Sequence, residues 1–401
     1  MRTNTPNKLH MLGVEDVRET NELKLLHVIR DRQPISRADL VKATGLTAGT
    51  VSLIVNRLIR SSIVYEGEEA PSSGGRRPTY LQVNAEKAYV AGLSIGVQQS
   101  FYGVSDFNGR ILNQRTQKTE PDAKSFLTRI AKDIASDLKE KFRRPRLAGI
   151  GVSIPGLVDR VEGHLVRSPN LGWRDVPIRS ILERELDIPV FVENDANAAA
   201  LSELWYGPID LWAAHCIVFV LVVEGIGIGL ILNGDLYIGS RIGLGGFGHL
   251  PMDPHGPCCS CGNVGCWEAL ASDRATLSRF AQFGTDGKRA SSVRELIGLA
   301  NSGDRGACEE LQTTARLLGR GIRGLAHGLS PDLIVVGGEI TGAWPMIEDT
   351  VNSEMQGEYL LDGISRPRVR PASVDQPAFF GSFPVGLRSV LQKRKRARGV
   401  F

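Results

Sequence analysis

The chain has 401 residues, enough for two or three domains with a sizeable buried core, and its 42% hydrophobic and 23% charged content excludes a low-complexity or disordered polymer. Its net charge of +4 is unevenly placed: residues 1–83 hold 12 basic and 9 acidic residues, Arg388–Arg398 holds six basic residues and no acid, and the stretch between is mildly acidic. The longest apolar run, Cys216–Val223, stops at Glu224, far short of the roughly 20 residues of a membrane helix, and the start of the chain is polar, so no membrane partner and a cytoplasmic location are expected.

In chain order, Leu23, Leu26, His27 and Ile29–Arg30 predict an amphipathic helix ending near Gln33-Pro34. Ser36 reads as an N-cap with Asp39 three residues on, and Gly45 breaks the helix that follows. Thr47 reads as a second N-cap. Beyond it Val51, Ile54, Val55, Leu58 and Ile59 recur at helical spacing. Two short helices joined by a glycine turn form the helix-turn-helix pattern. Ile63-Val64-Tyr65, the turn Ser72–Pro78 and Tyr80–Val83 then read as strand, flexible basic turn and strand, a wing. The first domain is placed at residues 1–84 and the second at 85–401.

The helix after Thr47 turns Ala48, Gly49, Ser52, Asn56 and Arg57 outward. Small residues at its start let its N-terminus approach a phosphate, where backbone N–H groups favour an anion. Asn56 suits adenine, and Arg57 suits guanine or phosphate. Arg76 and Arg77, after Gly74-Gly75, present two cations on a free-turning tip suited to a minor groove. The candidate DNA contacts are therefore Ser36, Thr47, Gly49, Thr50, Ser52, Asn56, Arg57, Arg76 and Arg77. A solvated helix face would show the same pattern without DNA.

From Tyr89 the pattern becomes α/β. Apolar runs at Tyr89–Ile95, Leu147–Ile154, Val190–Val192, Cys216–Val223 and Leu333–Val336 alternate with helical stretches at Ala123–Phe142, Pro177–Leu186, Ala196–Trp205, Trp267–Phe283, Ser292–Asn301 and Glu309–Leu329. Val90–Leu112 and Ile217–Ile238 each read strand, glycine turn, strand, Asn-Gly turn, which predicts two related lobes with a cleft between them. Four of the six cysteines cluster, which favours a cytosolic metal site over a disulfide framework. His249, Cys259, Cys261 and Cys266 offer one imidazole and three thiols, a set that suits tetrahedral zinc, although the spacing also allows buried free thiols. Cys258 is an extra neighbour.

Several motifs together resemble the ROK family of repressors and sugar kinases: Ser73–Pro78 (SGGRRP), Gly151–Gly156 (GVSIPG), Ser168–Trp173 (SPNLGW), Val192–Ala200 (VENDANAAA), Gly248–Gly256 (GHLPMDPHG) and Cys259–Glu268 (CSCGNVGCWE). The resemblance spans most of the chain. It implies a winged helix-turn-helix followed by an actin-like, ribonuclease-H-type two-lobed domain, assembled as a homodimer or homotetramer. It also implies structural zinc on His249, Cys259, Cys261 and Cys266, and a sugar site at Asn170, Asn194, Asp195, His249 and Glu268. In the family's kinases, Asp195 is the base that takes a proton from the sugar hydroxyl; the same residue could instead cap the helix from Ala196.

The sequence departs from that kinase pattern at both phosphate turns. Ser94-Ile95-Gly96-Val97-Gln98 stands where Asp-x-Gly-Gly-Thr is expected, and Val223-Glu224-Gly225-Ile226-Gly227 where Gly-Thr-Gly-x-Gly is expected. Gly246 replaces a sugar-binding glutamate. These losses leave Asp195 as a vestigial base. The function expected is a non-enzymatic, operator-binding repressor modulated by a sugar or related ligand. The rivals are an active ATP-dependent kinase and a DNA-binding dimer without a ligand.

Overall fold

The computed structural model describes residues 14–69, 79–141, 147–239, 245–283, 289–356 and 366–397. Contacts separate a unit over Met1–Lys87 from a second that begins at Ala88. Arg76 and Arg77 lie outside the described residues.

The first unit contains α1 (Val14–Arg32), β1 (Ile35–Ser36), α2 (Arg37–Thr44), α3 (Ala48–Arg60), β2 (Val64–Glu69) and β3 (Thr79–Val83). Ser36 caps α2 by accepting from the Asp39 N–H at 3.2 Å, and Gly45 ends that helix in the left-handed region at φ 69°. Thr47 caps α3 through the Thr50 N–H at 3.2 Å. The chain turns by 120° between α2 and α3. Leu25, Ile29, Leu40, Val51, Val55 and Leu58 are fully buried, so one stripe of each helix forms the core. The strands close it as a three-stranded antiparallel sheet in the order β1-β3-β2.

The second unit has two lobes. The first holds β4 (Tyr89–Ile95), β5 (Gln99–Asp106), β6 (Ile111–Lys118), α4 (Ala123–Lys141), β7 (Leu147–Ile154), β8 (Leu157–Asp159), β9 (His164–Ser168), β10 (Trp173–Val176), α5 (Ile178–Leu186), β11 (Val190–Asn194) and α6 (Asp195–Tyr206). The second holds β12 (Cys216–Val222), β13 (Ile226–Leu232), β14 (Asp235–Tyr237), α7 (Trp267–Ala271), α8 (Asp273–Phe283), α9 (Val293–Asn301), α10 (Arg305–Leu329), β15 (Leu333–Gly337), α11 (Trp344–Glu354) and β16 (Arg368–Pro371); α12 (Pro377–Ala397) follows.

The two main sheets repeat one topology. Their orders are β11-β7-β4-β5-β6 and β14-β13-β12-β15-β16. In each, the first strand pairs antiparallel with the second and parallel with the fourth, and the fourth pairs parallel with the fifth. Each sheet backs onto its own apolar core.

Helices α6 and α12 pack on each other and fill the layer between the sheets, α12 against β4 and β7 and α6 against β12 and β13. Small residues make this close approach possible. A Cβ on Gly92 or Gly151 would run into Ser382 of α12, one on Gly381 into the Ala198 backbone, and those on Gly227 and Gly229 into Ala196 and Ala200.

The helical stretch expected over Trp267–Phe283 is two helices. Ser272 breaks it, with extended backbone, and the Asp273 N–H leaves the helix to donate to the Val223 carbonyl at 2.8 Å. Helices α11 and α12 and strands β8–β10 and β16 were not anticipated from the sequence.

Candidate functional site

On the first unit, α3 presents Gly49, Leu53, Asn56 and Arg60 as exposed residues, with Ser52 and Thr50 half-exposed beside them. Leu53, 51% exposed, and Arg60 escaped the sequence reading, although both follow Gly49 at helical spacing. An exposed leucine there suits a thymine methyl. The start of α3 leaves its first N–H groups outside the helical ladder, next to residues with little or no side chain.

Arg57 is placed differently from the expectation. Its Nη1 donates to Glu22 Oε2 on α1 at 2.8 Å, so its guanidinium ties α3 to α1. Arg37, also missed, donates to Asn56 Oδ1 at 3.0 Å and to Glu66 Oε1 on β2 at 2.6 Å. It thereby links α3 to the sheet and orients the Asn56 amide. None of these three contacts shows in local sequence, because the partners stand 35, 19 and 29 residues apart.

On the second unit, the ligand atoms of His249, Cys259, Cys261 and Cys266 all lie within 4.8 Å of one another. His249 Nδ1 is 3.5 Å from Cys259 Sγ, and the Cys261 and Cys266 sulfurs are 3.7 Å apart. A tetrahedron with metal–sulfur bonds of about 2.3 Å has edges of about 3.8 Å, so these spacings already suit a four-coordinate ion. The loop is held by Met252 N–H to Gly265 O at 2.8 Å and Cys259 N–H to Asn263 O at 2.7 Å. Gly262 and Gly265 take φ of 99° and 62°, which a β-carbon would strain. Cys258 is exposed, outside this set. Burial pushes the Cys266 thiol up to about 12, with the facing sulfurs adding to it, so a cation is what would bring this group to its thiolate.

The loop adjoins a polar constellation around the N-terminus of α6. Glu268 Oε1 meets Cys259 Sγ at 3.6 Å and the Ser260 hydroxyl at 3.3 Å, while Oε2 accepts from the Ile226 N–H at 3.2 Å. Asn170 lies across the same turn, since a Cβ on Gly225 would meet both its amide and the Glu268 carboxylate. Asn170 Oδ1 is buried with no partner among the described residues.

Asn194, and not Asp195, is the N-cap of α6. Its Oδ1 accepts from the Ala196 and Asn197 N–H groups at 3.0 and 3.3 Å, and its Nδ2 donates to Gly156 O at 3.0 Å. Beneath it, buried Glu193 accepts from the Asn197 amide and the Asn194 N–H, both at 2.9 Å, and pairs with Arg160. This network fixes the strand-to-helix corner. Burial pushes Asp195 up to about 6, and Glu224 on the β12–β13 turn adds to the shift. The sequence-derived ligand residues Asn170, Asn194, Asp195, His249 and Glu268 are thus linked through the β12–β13 turn and the metal loop. At Gly246 a side chain would meet nothing within 4 Å, so packing does not demand the glycine.

A family model described as the ROK family matches residues 90–383. The chain belongs to the ROK family. Among its relatives, a xylose repressor of Bacillus spizizenii is 36% identical over 345 residues, covering 84% of this chain and 87% of that protein. The DNA-binding transcriptional dual regulator NagC of Escherichia coli K12 is 28% identical over 405 residues, covering 96% and 97%. Two solved ROK structures share the fold. A ROK transcriptional regulator described as a homologue of the Escherichia coli MLC protein covers 93% of this chain and 96% of its own, at a TM-score of 0.73 and 22% identity. A ROK glucokinase from Streptomyces griseus, in complex with glucose and AMPPNP, covers 75% and 100%, at 0.66 and 26%. The sugar-kinase likeness covers three quarters of this chain, while the regulator likeness takes in nearly the whole of it.

Proposed function

We propose that this ROK protein is a sequence-specific transcriptional repressor whose hold on DNA is set by a sugar. The first 84 residues act as a winged helix-turn-helix. Helix α3 enters the major groove with Gly49, Ser52, Leu53 and Asn56 toward the bases, and Thr47 and Thr50 near phosphate. Arg57 and Arg37 fix the helix in place. Arg76 and Arg77 reach the adjacent groove from the tip of the wing. Residues 85–401 bind the sugar through Asn170, Asn194, Asp195, Glu268 and the ring nitrogen of His249 not facing the sulfurs, and they assemble the homodimer or homotetramer that reads two half-sites. Zinc on His249, Cys259, Cys261 and Cys266 would hold the metal loop closed and keep His249 and Glu268 in register. A repressor of this kind acts in the cytoplasm.

The observation that carries the reading is the joining, in one chain, of a capped helix pair with an exposed small-residue face to a unit with the sugar-kinase fold, in which Asn170, Asp195 and Glu268 gather about the β12–β13 turn. The relatives named xylose repressors make D-xylose the first effector to try. Selection from random duplex DNA should return a sequence bound at least about a thousandfold more tightly than bulk DNA, and one sugar of a small panel should release it. Replacing Arg76 and Arg77 by alanine should lower the log–log salt slope of binding by roughly 2. Failure of selection to enrich any sequence would overturn the reading.

A further inference from the structure

We propose that the sugar site admits only unphosphorylated, uncharged sugars, because the β12–β13 turn beside it is surrounded by carboxylates that reject a phosphate. This rests on the reading above that the constellation around α6 binds the effector.

The turn Val223–Ile226 is where a sugar-kinase fold brings phosphate to the sugar, and here four carboxylates surround it. Glu224 sits on the turn itself. Asp195 feels Glu224 from the start of α6. Asp273 is locked alongside by its N–H bond to the Val223 carbonyl at 2.8 Å. Glu339 follows Gly338, whose Cβ would run into the Val222 carbonyl. Glu268, bonded to the Ile226 N–H, adds a fifth carboxylate on the sugar side.

Among the described residues, neither the Glu224 nor the Asp273 carboxylate has a hydrogen-bond or ion-pair partner. Burial, Glu224 and Glu339 all hold the Asp273 carboxyl well above the ordinary carboxylate range, so the turn resists negative charge even on its own side chain. Exposed Arg294 engages Glu339 through both its backbone N–H and its guanidinium, at 3.1 and 3.6 Å.

Several backbone groups near the turn that could hold a phosphate are in use as well. The Ala196 and Asn197 N–H groups at the start of α6 are taken by Asn194 Oδ1, with Asp195 Oδ1 sharing Ala196. Ile226 donates to Glu268, and Val223 to Gly225 O at 2.9 Å. A phosphate carrying about −1.5 to −2 charges would meet Glu224 and the same field that resists ionisation of Asp273, whereas a neutral hydroxyl brings no charge to it. The unpartnered Asn170 Oδ1 is an acceptor for such a hydroxyl.

The test is calorimetry on the full-length protein with D-xylose, D-glucose and N-acetylglucosamine, each beside its terminal phosphate ester. At least one free sugar should bind, with its ester at least about 100-fold weaker. In Glu224→Gln protein that ratio should shrink by about 10-fold or more, with the free sugar's affinity changed less than about threefold. Raising salt from about 50 to 500 mM should narrow the ratio in the unaltered protein, which keeps the test intact should the variant misfold. An ester that binds as well as its parent sugar, or a ratio unmoved by both neutralisation and salt, overturns the proposal. If neither free sugars nor esters bind, it is the effector reading itself that fails.

Discussion

Asn194 and Asp195 adjoin each other at one corner yet do opposite work. Asn194 closes the α6 N-terminus and clamps Gly156, so replacing it would loosen a helix before it touched any ligand. Asp195 is held at a cost. Its pKa rises from the ordinary 3.8 to about 6 in the fold. Between those values the folded protein keeps a proton that the unfolded chain has released. Stability from this group is therefore full below about pH 4 and lost as pH rises through about 6. Above that, the ionised carboxylate costs the fold about 3 kcal/mol. Asp195→Asn keeps the oxygen that accepts from Ala196 and removes the charge. Urea denaturation should find the variant more stable by up to about 3 kcal/mol at pH 8 and nearly unchanged at pH 4. A gain of the same size at both pH values would show that charge is not the cause.

At the scale of elements, the layer between the sheets depends on glycines that look like breaks in the sequence. Gly381, Pro384 and Gly386 interrupt any helical pattern, so α12 is invisible to periodicity; yet Gly386 lets it lie on Gly151 and Gly381 lets it lie on Ala198 of α6. Gly151→Ala should destabilise by roughly 1–3 kcal/mol or more, because its Cβ meets the Ser382 carbonyl, which cannot turn aside. Gly298→Ala, in open space on α9, should instead gain up to about 1 kcal/mol from helix propensity. Equal effects of the two in chemical denaturation would refute the packing account. Caps such as Ser36 and Thr47 are readable because their chemistry lies within four residues, and the metal tetrad because its residue types are rare. The break at Ser272, the Arg57–Glu22 pair and the role of Arg37 are set by partners far along the chain, and no local pattern carries them. The tetrad adds one more expectation. Freshly purified protein should hold about one zinc per chain, and Cys261→Ser should lower the melting temperature in the absence of DNA. Elemental analysis without zinc would remove that ion from the account.

Taken as a whole molecule, the second unit keeps one half of a kinase and has altered the other. The strand-to-helix corner with Asp195 persists, as do the doubled lobes and the metal loop. The two phosphate turns do not. Ser94 stands, buried within β4 and paired on both sides, where the metal-side acid is expected, and Glu224 occupies the second turn. Asp195, pushed up to about 6, is poised well enough to take a proton near neutral pH, which is the one feature favouring catalysis. Proton removal is the smaller part of phosphoryl transfer. The larger part is neutralising charge on the transferred group, and the field that holds Asp273 well above its ordinary range, with Glu224 and Glu339 among its causes, acts against that. A coupled assay with ATP, magnesium and glucose, xylose or N-acetylglucosamine should therefore show ADP release no faster than the sugar-free background. Glu224→Thr alone should not revive it, because Asp273 and Glu339 still face the turn and Ser94 still lacks the acid. Sugar-dependent ADP release in the unaltered protein, abolished by Asp195→Asn, would instead make the chain a working kinase with a DNA-binding unit attached.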